Sequence, residues 1–125
     1  MTKIVSSPNC GNSPKMEFIK EFNIAFANGN FEFITESVTD EIEWNIIGDK
    51  IIEGKEKFIK ELEKMKSRKT AELIIDQILS HGKEAASNGI MKMQDGKRYA
   101  FSDFYKFQGA KGTQIKSIHS YVIEI

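Results

Sequence analysis

Apolar residues recur at helical spacing in the first half of the chain and alternate with polar residues in the second half. A first helix is predicted to begin at Pro14, because Ser13 can accept a backbone hydrogen bond as the N-cap and proline has no amide hydrogen to leave unpaired. Asn28 and Gly29 are typical of a helix end. The apolar face of this helix consists of Phe18, Ile19, Phe22, Ala25 and Phe26.

A short second helix is predicted over 31–38, a strand over 42–46, and a third helix from Gly54 onward. The remainder reads as four long antiparallel strands, 71–80, 84–93, 99–107 and 115–123, with turn signals at 81–83 and 95–96. Helices that come first and strands that come last are typical of an α+β domain with helices packed on one face of a sheet.

Residues 1–13 show no periodicity and are predicted to be a loose arm, to which Ile4 and Val5 could add an edge strand, ahead of a single domain over 14–125. The one cysteine, Cys10, excludes an intramolecular disulfide and fits a reducing compartment. The N-terminus lacks the apolar core of a signal peptide, and no apolar run is long enough for a membrane helix. We therefore expect a soluble, cytoplasmic protein.

The balance of charge and the absence of known motifs exclude several classes of binding partner and cofactor. Lysine plus arginine equals aspartate plus glutamate at 18 each, so no overall field attracts nucleic acid or a membrane surface. The basic residues that bunch near the end of the third helix are assigned to its dipole: Lys64, Lys66, Arg68 and Lys69. No nucleotide-binding motif, catalytic-triad spacing or metal-ligand spacing is present, so neither a cofactor nor a metal is predicted.

The sharpest chemical signal is one carboxylate within a run of aromatic residues. On the strand 99–107, Asp103 shares a face with Tyr99, Phe101, Tyr105 and Phe107. A charged aspartate is rarely fully buried unless it is paired. Asp103 is therefore expected to lie at a cavity, to have a partner, or to have a raised pKa.

The order of elements, with particular residues, resembles the nuclear transport factor 2-like superfamily, which includes SnoaL-like polyketide cyclases, scytalone dehydratase and ketosteroid isomerase. The resemblance covers 14–125 and rests on the first-helix ending 26–30, the strand 42–46 with Trp44, the loop 48–54 and the segment 103–109. It implies a curved antiparallel sheet wrapped around about three helices of the N-terminal half. The expected shape is a cone with an internal pocket, and the expected assembly is a homodimer through the outer sheet face.

By resemblance to ketosteroid isomerase, Asp103 falls on the position of an acid that is kept protonated so that it can donate a hydrogen bond to a developing oxyanion. The tyrosine of that enzyme's first helix maps onto Phe22, which has no hydroxyl group. Its catalytic base maps into 44–46, where there is no carboxylate. Steroid-type isomerisation is therefore disfavoured.

Two registers of the last hairpin give Asp103 different partners. If Phe107 lies opposite Ile115, Asp103 lies opposite His119, and the two would form an acid–base pair poised near neutral pH. A register shifted by one residue turns His119 outward and places Ser120 beside Asp103, and the family resemblance favours this version.

The resulting hypothesis is a protein that binds a small apolar molecule and possesses Asp103 and His119 as catalytic candidates. The predicted ligand-binding residues are Phe22, Phe26, Trp44, Phe101, Tyr105 and Ser120. As an enzyme it would be a cofactor-free isomerase, cyclase, dehydratase or hydrolase acting on a carbonyl or epoxide compound. The alternative is a non-catalytic dimerisation or ligand-sensing module with a vestigial pocket.

Overall fold

A computed structural model describes residues 2–8 and 11–125, so Cys10 lies outside the described residues. Within them the chain forms three helices, α1 (Pro14–Asn28), α2 (Phe31–Glu36) and α3 (Lys55–Lys64). The seven strands are β1 (Lys3–Ser6), β2 (Val38–Ile46), β3 (Lys50–Glu53), β4 (Thr70–His81), β5 (Glu84–Met93), β6 (Arg98–Phe107) and β7 (Ile115–Glu124). The predicted α+β class is confirmed.

All seven strands belong to one curved, open sheet with the order β1-β4-β5-β6-β7-β2-β3. An antiparallel sheet was predicted, but the sheet is mixed. The β1–β4 pair and the β2–β7 pair are parallel. Between β2 and β7 the chain runs through β3, α3 and the strands β4, β5 and β6. The chain then returns alongside β2 in the same direction.

The first helix is fixed by its ends, as its sequence predicts. The Ser13 hydroxyl accepts a hydrogen bond from the Met16 amide at 3.2 Å, and Pro14 occupies the first turn. Gly29 ends the helix in the left-handed conformation at φ 73°, which costs glycine little. Helix α1 packs against β4 and β5, so its apolar face lies on the concave side of the sheet.

The curvature has a local cause in β4 and β5. Their pairing shifts register between Ile75 and Gln77, where an extra residue forms a bulge, and Gly89 lies opposite Ile75. A Cβ atom at Gly89 would collide with the Ile74 carbonyl oxygen, so only glycine allows the two backbones to approach this closely. The bulge bends the strand and makes room for the helices on its concave side.

A second bulge, in the β6–β7 hairpin, determines which side chains share a face. Phe107 does lie opposite Ile115, but the register then shifts, and Lys106 lies opposite Ser117. The extra residue, Lys116, places Ser120 opposite Asp103. Of the two registers considered for this hairpin, the one that places Ser120 beside Asp103 is therefore confirmed, and the Asp103–His119 alternative is wrong.

At the other edge of the sheet, residues of the N-terminal arm are part of the fold. Ile4 lies beside Leu73 and Val5 beside Ile74 in the β1–β4 pairing, which is the edge strand that this apolar pair suggested. None of the helices in the described residues is long and apolar enough to span a membrane.

Candidate functional site

A cavity of about 430 Å³ lies between the concave face of the sheet and the three helices. Its wall is mainly aromatic and aliphatic. Its polar residues form two groups, one on α1, β6 and β7 and the other between the β2–β3 turn and the start of β4. All six residues predicted to bind a ligand contribute to this wall: Phe22, Phe26, Trp44, Phe101, Tyr105 and Ser120. Asp103 lies among them, and the binding role of these residues stays a prediction.

Asp103 is half-buried and receives hydrogen bonds from two hydroxyl groups. The Tyr105 hydroxyl donates to its Oδ2 atom at 3.4 Å, and the Ser120 hydroxyl, directly across the hairpin, donates to the same carboxyl group. Each of the two hydroxyl groups is in turn held by further donors. The carboxyl group is thus fixed in position before any ligand arrives.

The first set of supporting groups reaches Asp103 through Tyr105. The Tyr105 hydroxyl lies 3.0 Å from the Ser87 hydroxyl and accepts from the Asn23 amide nitrogen at 3.2 Å. Asn23 is itself anchored by a 2.9 Å hydrogen bond from its amide to the Ile19 carbonyl oxygen. When Tyr105 donates its only proton to Asp103, Ser87 is the group that donates to Tyr105.

The second set reaches Asp103 through Ser120. The Trp44 indole Nε1 donates to the Ser120 hydroxyl oxygen at 2.9 Å, and both residues are buried. An indole can only donate, so the serine proton is free to point at Asp103. The two sets of hydrogen bonds therefore converge on one carboxyl group at the cavity wall.

The surroundings raise the pKa of Asp103 to about 6, because removal from water penalises the carboxylate more than the hydrogen bonds from Ser120 and Tyr105 favour it. Burial, followed by the nearby negative charge of Asp103, raises the pKa of Tyr105 well above its usual value. Near neutral pH, Asp103 exchanges a proton and Tyr105 keeps its own. Tyr105 is consequently a donor and Asp103 is the titrating group.

His119 lies on the opposite side of the sheet. It pairs with Phe104 across β6 and with Asn45 across β2, and both β6 and β7 turn these residues away from the concave face. It does not contribute to the cavity wall. His119 is therefore not the partner of Asp103, which receives hydrogen bonds from two hydroxyl groups instead.

Two other carboxyl groups reach the cavity. Glu61, on α3, is buried and forms ion pairs with Lys50 at 3.0 Å and Lys64 at 3.7 Å. Asp49 lies in the exposed turn between β2 and β3. Asp103 is therefore the acid that combines an apolar environment with the absence of a cationic partner among the described residues.

Asn23 and Ser87 are functional candidates that the sequence interpretation missed. A usable signal existed for Asn23, since it lies four residues after Ile19 and therefore on the apolar face of α1, where a polar side chain needs a partner. Ser87 alternates with Ala85 and Gly89, and nothing in that pattern of small residues marks it. Arg68 and Lys69 also border the cavity, although their sequence position suggested only a helix end.

No family model matches this chain, and a comparison with curated proteins found no match either. Solved structures do match. An NTF2-like protein of unknown function from Cytophaga hutchinsonii is 27% identical over 86% of this chain and 97% of that chain, with a TM-score of 0.68. A ketosteroid isomerase-like protein from Kribbella flavida is 11% identical over 87% and 77% of the two chains, with a TM-score of 0.72. An LEH-like epoxide hydrolase from M. tuberculosis is 15% identical over 86% and 80%, with a TM-score of 0.71.

A curved open sheet packed on three helices around a central cavity defines a cone-shaped α+β fold. More particularly, it is the nuclear transport factor 2-like fold, and the resemblance noted in the sequence is confirmed. At 11% and 15% identity, the likeness to the ketosteroid isomerase-like protein and the epoxide hydrolase shows the fold alone.

Proposed function

We propose that this protein binds a small, largely apolar molecule in the cavity and transfers protons to and from it with Asp103. The observation that carries the proposal is a carboxyl group with a pKa of about 6 on the wall of a cavity of about 430 Å³. That volume lies within the range of roughly 300–1,000 Å³ that is usual for small-molecule sites. The reaction class is cofactor-free isomerisation, cyclisation, dehydration or hydrolysis next to a carbonyl or epoxide.

The chemistry follows from the two protonation states of one group. Protonated Asp103 donates a hydrogen bond to a ligand oxygen, and ionised Asp103 removes a proton from a neighbouring carbon or from water. A pKa of about 6 keeps both states accessible near neutral pH. Tyr105 and Ser120 hold the carboxyl group while it changes state.

Two structural relatives motivate the choice of compounds. A ketosteroid isomerase-like protein and an epoxide hydrolase share the fold, and their names refer to a carbonyl compound and to an epoxide. Steroid-type isomerisation is disfavoured here because Phe22 has no hydroxyl group and the strand 44–46 has no carboxylate.

The binding step can be tested directly because the only tryptophan, Trp44, is part of the cavity wall. A panel of cyclic and linear ketones and epoxides is titrated while Trp44 fluorescence is followed, and consumption of each compound is then measured by chromatography. We expect a saturable fluorescence change, and we expect Asp103→Asn to abolish turnover while the protein stays folded. Asp76→Asn, at an exposed position, is the matched control. Undiminished turnover in Asp103→Asn would refute the catalytic role.

A second candidate function is ligand sensing without catalysis. It is favoured by the state of the other two carboxyl groups at the cavity: Glu61 is ion-paired and Asp49 is exposed, so a reaction that needs a second acid in an apolar environment lacks it. Saturable binding that depends on Asp103, with no compound consumed, would select this alternative.

We further propose that the protein forms a homodimer through the outer face of the sheet. Four large apolar side chains are exposed there: Leu79, Phe104, Tyr121 and Ile123. The rings of Phe104 and Tyr121 pack edge to face, with their centroids 6.0 Å apart. Cross-strand pairing brings Ala86 between Leu79 and Phe104, so the apolar surface is continuous. A second copy offers the same surface about a twofold axis. Light scattering should give twice the 14.2 kDa chain mass, and Phe104→Lys should return it to the monomer.

A further inference from the structure

We propose that the ligand is an amphipathic organic anion, with its apolar body in the cavity and a carboxylate or phosphate head bound by Arg68 and Lys69. This inference rests on the proposed function, since it names the class of molecule that the cavity receives. It arises from three observations: the unpaired cations of the cavity rim, a second cavity adjoining the first, and the order of side chains along β6.

The rim cations lie in the connection between α3 and β4. Lys66, Arg68 and Lys69 all border the main cavity, and all three are exposed. Two further lysines nearby, Lys50 and Lys64, already share one carboxylate, that of Glu61. Within residues 2–8 and 11–125, none of the three rim cations forms an ion pair. They are therefore available to an anion from outside the chain.

A smaller cavity of about 260 Å³ adjoins the main one and is distinctly polar. The residues that border both cavities are Arg68, Lys69, Met93 and Tyr99. The smaller cavity adds Lys97 and Asp95, so three cationic side chains face one carboxylate in a protein whose formal net charge is zero. Positive charge is thus concentrated where the apolar cavity meets this polar one.

The order of residues along β6 gives the direction in which a ligand would lie. Asp103, Phe101 and Tyr99 follow one another on the concave face toward the β5–β6 turn, and Tyr99 borders both cavities. Four residues of strand span about 13 Å. A molecule of that length can hold an oxygen near Asp103, an apolar body against Phe101 and an anionic head at Arg68 and Lys69.

The anionic head group should contribute only moderately to binding affinity, because the rim cations are exposed and salt screens them. Two such contacts should tighten binding by about fivefold to tenfold at low ionic strength, and this advantage should shrink toward unity in strong salt. A neutral molecule with the same body should bind equally well at either ionic strength.

The test uses three molecules with the same decyl body, namely decanol, decanoate and decyl phosphate, titrated at pH 7.5 while Trp44 fluorescence is followed. We expect both anions to bind about fivefold to tenfold more tightly than decanol at low salt. The double variant Arg68→Gln/Lys69→Gln should remove that preference and leave decanol binding unchanged. Lys106→Gln/Lys116→Gln, which removes the same charge from exposed positions outside both cavities, is the matched control and should keep the preference.

The outcomes separate the two proposals. Decanol binding with no preference for either anion overturns the amphipathic anion and leaves the small-molecule site standing. Equal weakening of all three molecules by Arg68→Gln/Lys69→Gln also overturns the amphipathic anion. If none of the three binds, both proposals fail for ligands of this length. A preference for decyl phosphate over decanoate, or the reverse, identifies the head group.

Discussion

Alternate residues of β6 and β7 lie in opposite environments although they share one backbone. On the concave face, Phe101, Tyr105 and Ser120 are buried and surround Asp103. On the outer face, Phe104 is 52% exposed and lies opposite His119. Both faces carry aromatic and polar groups, so composition does not distinguish them.

The difference lies in what the polar groups contact. Inside, the carboxyl of Asp103 is tied to Tyr105 and Ser120, and removal from water shifts its pKa. Outside, side chains such as Lys106 reach solvent. The polar residue Asp103, on the concave face, thus becomes part of a cooperative hydrogen-bond network. A polar residue on the outer face of the same strand, such as Lys106, does not.

The largest expected difference between the two faces is in the stability lost when one aromatic ring is removed from each. Phe107 is fully buried and packs against Phe18, and Phe104 lies three residues earlier on the other face. We expect Phe107→Ala to lower the free energy of unfolding by about 3–5 kcal/mol, because it leaves a cavity in the core. Phe104→Ala should cost less than about 1 kcal/mol in the monomer. Urea denaturation of both variants measures the contrast.

Both substitutions make the same chemical change on the same strand, so differences in strand propensity cancel. Because Phe107 does not border the ligand cavity, its loss does not confuse core packing with binding. Equal destabilisation at both positions would mean that the outer face is as well covered as the inner one. If the stability lost in Phe104→Ala depends on protein concentration, the outer face is buried by a second copy of the chain.

The next effect concerns the charge of Asp103. Its pKa is raised from 3.8 to about 6 in the folded protein, so between these values the folded state holds a proton that the unfolded state has released. The corresponding stability is fully present below about pH 3.8 and is lost as the pH rises through about 6. The quantity to measure is the unfolding free energy of the wild type minus that of Asp103→Asn. We expect this difference to fall by about 2–3 kcal/mol between pH 4 and pH 7.5.

The difference between the two proteins is the right quantity, because every other carboxyl group titrates in both. Asp76→Asn, at an exposed site on β4, provides the control series. A flat difference for Asp103→Asn across this range would show that its carboxyl group is solvated in solution and that the concave face is open to water.

The fold could be predicted from local signals with little loss. Ser13, Pro14 and Gly29 determine the ends of α1 through backbone hydrogen bonding and the left-handed conformation, both of which depend on nearby residues. The alternation from Tyr99 to Phe107 likewise determines which side chains of β6 share a face. The parallel β2–β7 pair was not foreseeable in this way, because it joins segments about 75 residues apart and depends on the whole topology.

From the residues alone, the candidate site was predictable only as far as its wall, and the family resemblance was what favoured Ser120 as the partner of Asp103. Asp103 and its aromatic neighbours are visible in one strand, but its true partner depends on the extra residue at Lys116. A bulge of one residue leaves no hydrophobic signature, because both registers bury apolar side chains of β7. The rim cations were equally hidden, since Arg68 and Lys69 reach the cavity only after the chain turns from α3 into β4.

The smallest effects test the register itself, through neighbouring residues of β7. Ser120→Ala should cost about 1–3 kcal/mol, because it leaves the buried Trp44 indole without its acceptor. It should also raise the pKa of Asp103 further, since the Ser120 hydrogen bond lowers that pKa. His119→Ala should change the unfolding free energy by less than about 0.5 kcal/mol. Carbon-13 NMR of the aspartate carboxyl groups reports the pKa in each variant.

The two β7 variants discriminate because the two registers predict reversed results for them. With Ser120 facing Asp103, the Asp103 titration responds to Ser120→Ala and is indifferent to His119→Ala. With the register shifted by one residue, loss of the imidazole would move the Asp103 titration, and loss of the serine hydroxyl would leave the Trp44 emission unchanged. Since a cation beside a carboxylate lowers its pKa, an upward shift in His119→Ala would restore the acid–base pair that the bulge at Lys116 separates.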